Sequence, residues 1–98
     1  MLMPVTLTPR ERASLKARAH ALEPVVHVGH AGLTDAVVTE IDRALTAHEL
    51  IKVRAGAAER DEREALLADI SARTDAAVVQ TVGKVMVLWR PRPPEADR

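Results

Sequence analysis

Short runs of β-branched residues alternate with longer segments whose apolar residues recur every three to four positions, all within 98 residues. That alternation is the strongest constraint on the fold, because strands joined through helices favour parallel pairing and a chain this short closes about one hydrophobic core. The pattern starts at Thr8-Pro9-Arg10-Glu11, with threonine at an N-cap, proline at the first helical position and glutamate three residues after the cap. Leu15, Ala19 and Leu22 then mark a narrow apolar stripe, and Pro24 ends the helix by forcing its predecessor out of helical geometry. Val25-Val26-His27-Val28 reads as a strand. Leu33 or Thr34 opens a second helix, in which Val37, Ile41, Ala44, Leu45 and His48 share a face. In the next strand, Leu50–Ala55, Ile51, Val53 and Ala55 alternate with Lys52 and Arg54, so one face is expected to meet solvent or a polar partner.

A third helix is predicted over Asp61–Thr74 with Leu66, Leu67 and Ile70 inward. Two strands follow, Ala77–Val82 and Val85–Arg90, joined by Gly83-Lys84 with glycine first, as a type II′ hairpin requires. The order α-β-α-β-α-β-β predicts an α/β domain with a four-stranded mixed sheet. Residues 1–90 are expected to form a single domain, and the proline-rich, charged residues 91–98 a disordered tail.

Composition narrows the function classes. Cysteine is absent, which removes disulfide frameworks and thiolate chemistry. The first residues lack a basic n-region and an apolar h-region, and no run approaches the roughly 18 apolar residues of a membrane span. A cytoplasmic protein without membrane contact is the expectation. The histidines His20, His27, His30 and His48 have no cysteine or carboxylate at a recognised zinc-ligand spacing. Glu62 with Glu64, and Glu40 with Asp42, lie two apart on helices and do not face each other. Ser14 and Ser71 fall inside helices. No metal, no cofactor and no catalytic residue is therefore expected, and the chain is not read as an enzyme.

Gly29-His30-Ala31-Gly32 lies between the first strand and the second helix. Glycine lets the backbone take positive φ and lets another molecule come close. The helix start beyond it offers amides without intrahelical partners and a partial positive charge, both suited to phosphate. A GxxG loop of this kind clamps the backbone of single-stranded nucleic acid in KH-type domains. On spacing alone a tight turn is the better reading. Net charge argues mildly against a nucleic-acid binder, since 14 basic and 14 acidic residues cancel, and their distribution qualifies that argument. The acids concentrate between Glu59 and Asp75, which leaves the remainder modestly positive. Trp89 is the single aromatic residue, so a sheet that stacks bases on aromatic rings is excluded while a backbone clamp is not.

Several segments together resemble the CRM domain family, in particular its bacterial stand-alone YhbY-type members. They are Leu7-Thr8, Pro24-Val25-Val26 ahead of Gly29-His30-Ala31-Gly32-Leu33-Thr34, Glu40-Ile41 with Ala44-Leu45, His48-Glu49-Leu50-Ile51-Lys52-Val53, Val82-Gly83-Lys84 and Leu88-Trp89-Arg90-Pro91. The resemblance implies a non-catalytic RNA-binding protein with a fold similar to the C-terminal domain of translation initiation factor 3. It also implies ribosomal RNA or precursors of the large ribosomal subunit as partner, with no DNA. By the same resemblance, Gly29, His30, Ala31 and Gly32 belong to the RNA surface together with nearby basic residues.

The basic set Arg10, Arg12, Lys16, Arg18, Lys52, Arg54 and Lys84 is concentrated on the first helix, the second strand and the hairpin tip. The acidic third helix is expected to face away, because carboxylates repel phosphates. Many members of the family carry a basic or strongly polar residue inside the loop. Here His30 and Ala31 stand there, and histidine supplies no fixed charge near neutral pH. Net neutrality leaves room for an alternative, a protein-interaction module that docks through its polar sheet face or first helix.

Overall fold

The computed structural model describes residues 7–91, so most of the expected tail lies outside the described residues. The elements follow the predicted order: α1 (Pro9–Ala19), β1 (Pro24–His27), α2 (Asp35–His48), β2 (Leu50–Arg54), α3 (Arg60–Thr74), β3 (Ala77–Val82) and β4 (Val85–Trp89). The four strands form one mixed sheet in the order β1-β2-β4-β3. β1 and β2 are parallel, and β4 runs antiparallel to both β2 and β3. Both edge strands carry an irregularity, between Pro24 and Val26 in β1 and between Val78 and Gln80 in β3.

The period-2 alternation of β2 and β4 sorts their side chains onto two faces. Ile51, Val53, Met86 and Leu88 join Ile41 and Leu45 of α2 and Ile70 of α3 in the larger core. Leu50, Val87 and Val79 meet Leu15 and Ala19 of α1 on the other side. The second face is thus partly covered by α1 instead of being left to solvent. Ile41, Leu45, Ile51 and Leu88 are fully buried, and each such burial contributes on the order of 2 kcal/mol.

The helix starts are as the sequence dictates. Thr8 Oγ1 accepts from the Glu11 amide at 3.1 Å, and the Thr8 amide donates to Glu11 Oε1 at 2.9 Å. Thr34 Oγ1 accepts from the Val37 amide at 3.2 Å and caps α2. α1 stops at Ala19, before Leu22, which is exposed. Proline at 24 sets only an outer limit, and residues 20–23 are needed to carry the chain from a helix lying on the sheet face to the edge strand. His48 is exposed and does not share the buried face of Ile41 and Leu45, because it lies in the last turn of α2.

Gly83 has φ +57°, and Lys84 does not take positive φ, which matches the predicted type II′ link. At the other end of β4, Arg90 fastens three elements. Its guanidinium donates to Asp42 Oδ1 at 2.6 Å, Thr74 O at 2.8 Å, Thr46 Oγ1 at 2.9 Å and Asp42 O at 3.1 Å. The C-terminal ends of α2 and α3 are thereby tied to the strand end.

Candidate nucleic-acid interface

β1 and β2 run side by side in the same direction and deliver their C-terminal ends to one end of the sheet. The Val28 amide donates to Arg54 O at 2.8 Å, which fixes the start of the loop beside β2. Within the loop the Gly32 amide donates to Gly29 O, and the Thr34 amide to Gly32 O, each at 3.0 Å. Gly32 has φ +77°, the left-handed region that favours glycine, so the turn itself accounts for this residue. Gly29 is different. Its φ is not positive, and a Cβ built there would meet nothing within 4 Å. Neither backbone conformation nor crowding within the fold requires glycine at that position. His30 and Ala31 between them are exposed, and the capped start of α2 follows at once.

Two cations stand at the same end of the sheet as this loop. Arg54 is paired across the sheet with His27, and the Ala55 amide donates to Lys84 O at 2.8 Å. A Cβ added at Gly56 would lie 3.5 Å from Arg54 Nε and 3.9 Å from Lys84 Cδ, so the two side chains flank that glycine. Among the described residues neither Arg54 nor Lys84 has a carboxylate partner.

The seven basic residues of the sequence reading do not form one patch. Arg12 Nη1 donates to Val78 O at 2.6 Å and Val79 O at 2.8 Å, closing α1 onto the irregular edge of β3. Lys52 Nζ donates to Leu22 O at 2.8 Å and holds the turn after α1. Both are engaged by the fold. Arg10, Lys16 and Arg18 are exposed on α1, across the sheet from α2 and α3. Arg54 and Lys84 are the pair that meets the loop end.

The acidic helix does not face away from the loop. A groove of about 360 Å³ separates them, lined by Gly29, His30, Gly32, Leu66, Glu62 and Asp69 among others. α3 has to seat Ile70 beside α2 on the larger core, and this brings its carboxylates alongside the turn that enters α2. Arg73, one of three arginines within the acidic segment, moderates their charge. Its guanidinium lies 3.1 Å from Asp35 Oδ1, in the first turn of α2, and 3.9 Å from Asp69 Oδ2. The Asp69–Arg73 spacing of four was readable as a helical ion pair, whereas the partnership with Asp35 depends on how two helices pack.

Among the described residues no group of three or more histidine, aspartate or glutamate side chains could hold a metal ion. Nor is any described helix long and apolar enough to cross a membrane.

Related proteins place this arrangement in context. A Haemophilus influenzae protein named an RNA-binding protein is 45% identical over 86 residues, covering 88% of this chain and 87% of the relative. A Pseudomonas aeruginosa relative named a probable RNA-binding protein is 42% identical over 89 residues, covering 91% and 86%. A solution structure of a Staphylococcus aureus protein superposes with a TM-score of 0.79 at 28% identity, covering 90% of this chain and 92% of the other. The model of the CRS1 / YhbY (CRM) domain matches residues 7–90, and the chain belongs to that family.

Proposed function

We propose that this protein binds RNA through the Gly29–Gly32 loop, the start of α2 and the Arg54–Lys84 pair, and that it does so without catalysis. The observation that carries the reading is Gly29. The fold leaves it bare without needing it, the capped start of α2 follows it, and at the same end of the sheet stand Arg54 and Lys84, which have no carboxylate partner among the described residues. A backbone free of side-chain atoms lets a sugar-phosphate chain come within hydrogen-bonding reach of amides. The names of the relatives support RNA as the partner. Family kinship supports ribosomal RNA in precursors of the large subunit as the particular RNA.

Binding of this kind is dominated by phosphate contacts, so log affinity should fall linearly with log salt. A Cβ at Gly29 meets nothing within 4 Å and needs no positive φ, so Gly29→Val should leave the melting temperature nearly unchanged while weakening RNA binding about tenfold. A folded Gly29→Val protein with the affinity of the parent would remove the loop from the interface. Sedimentation of cell extract before and after ribonuclease treatment tests the partner. Co-migration with large-subunit precursors that ribonuclease abolishes is the expected result, and co-migration that survives digestion would favour docking to a protein instead.

A further inference from the structure

An RNA strand held at the Gly29–Gly32 loop has two ways to leave it. One follows the groove beside α3, where Glu62 and Asp69 line the wall. The other crosses the end of the sheet. We infer that the strand takes the second route, over a row of side chains formed by His27, Arg54, Val85 and Val82, with Lys84 at its rim. This rests on the RNA-binding reading above and adds the path and the mode of contact.

The row is set by strand register. His27 pairs with Arg54, Arg54 with Val85, and Val85 with Val82, one residue from each of the four strands. Side chains paired in this way share a face, and four adjacent strands span about 14 Å. The face is the one on which α1 packs, since Val87 lies two residues from Val85 and contributes to the core beneath α1. The helix covers Leu50, Val79 and Val87 but leaves the row open. His27 and Arg54 are exposed, and Val82 is 59% exposed.

Charge separates the two routes. His27, Arg54 and Lys84 have no carboxylate partner among the described residues, whereas the α3 side presents carboxylates that Arg73 only partly offsets. Phosphates would therefore be repelled along α3 and attracted across the sheet end. The row also has an apolar half. Arg54, with its forked donors, suits a phosphate, and Lys84 adds a mobile charge. Val82 and Val85 offer methyl groups to a ribose or a base face. With no aromatic ring in the row, contact there is apolar without stacking, so little base preference is expected from it.

The test uses fluorescein-labelled, mixed-sequence single-stranded RNAs of about four and about twelve nucleotides, the first long enough for the loop alone and the second for loop and row. The double variant His27→Glu/Val82→Glu places acid at both ends of the row on exposed positions, and its thermal melt reports that it folds. It should bind the longer RNA on the order of tenfold more weakly, with a shallower salt dependence, and bind the shorter RNA as the parent does. Unchanged affinity for the longer RNA, alongside a Gly29→Val protein that loses both, would overturn the path while leaving the loop in place. An equal loss on both lengths would assign the effect to the loop and also overturn the path. If the parent protein binds neither RNA, the path and the RNA reading fall together.

Discussion

Arg54 and Arg90 stand at opposite ends of the same sheet, one closing β2 and the other following β4, and their surroundings could hardly differ more. Arg90 is surrounded by acceptors, two from Asp42 and one each from Thr46 and Thr74, and its side chain keeps only 21% of its surface in solvent. Arg54 has His27 and Val85 as strand partners, Lys84 beside it across Gly56, and no carboxylate partner among the described residues. One end of the sheet is chemically finished and the other is not. A guanidinium that donates four hydrogen bonds to its own fold holds that fold together, whereas one that faces water beside a bare backbone is free to meet an anion. Counting arginines along a chain merges these two kinds.

The comparison can be broken most visibly at Arg90. Arg90→Ala removes every donor of the clamp and leaves the Thr74 carbonyl short of a partner, so we expect a loss of about 3 kcal/mol. In a domain of this size that lowers the melting temperature by about 15 °C, measurable by circular dichroism. RNA affinity measured well below the melt should not change. A weakened but normally stable variant would mean that this end also binds.

Arg12 sharpens the same contrast, because the sequence sets it among basic residues suited to RNA while its guanidinium donates to the Val78 and Val79 carbonyls. Arg12→Ala should cost about 1.5 kcal/mol in denaturant unfolding with no change in affinity. Arg54→Ala should show the reverse: stability within about 0.5 kcal/mol, affinity lower by roughly fivefold, and a salt slope reduced by about one. If Arg54→Ala melts early and binds normally, the two ends have been assigned the wrong way round. The smallest effect lies next to the Arg90 clamp, at the end of α3. Asp75 ends α3 with φ 59°, and Asp75→Gly should raise stability by about 0.5 kcal/mol without touching RNA binding.

What the sequence disclosed and what it withheld divide along the same physical line. The capping box at Thr8 and Glu11, the cap at Thr34 and the glycine-first hairpin at Gly83 are interactions among residues a few positions apart, and each is present as read. The mixed α/β sheet was legible from the alternation of periods. Insertion of β4 between β2 and β3 was not, because pairing over long separations depends on which faces must be buried and leaves no local mark. The partners of Arg12, Lys52 and Arg73 were hidden for the same reason: they lie 66, 30 and 38 positions away. The orientation of α3 toward the loop likewise follows from burying Ile70 next to α2. At Gly29 the situation is reversed. Its spacing suggested only a turn, and the structure shows that the turn needs Gly32 but not Gly29.

The irregular edges of the sheet bear on how the protein behaves among its own copies. An open sheet of four strands has two outer rows of amides and carbonyls, and each invites a strand from a neighbouring molecule. β1 breaks its row at Pro24, which has no amide to give, and shifts register before Val26. β3 shifts register between Val78 and Gln80, and the Arg12 guanidinium already occupies the Val78 and Val79 carbonyls. Neither margin can serve as a template of any length. Such margins discourage a crowded solution of this protein from stacking strand upon strand into fibres.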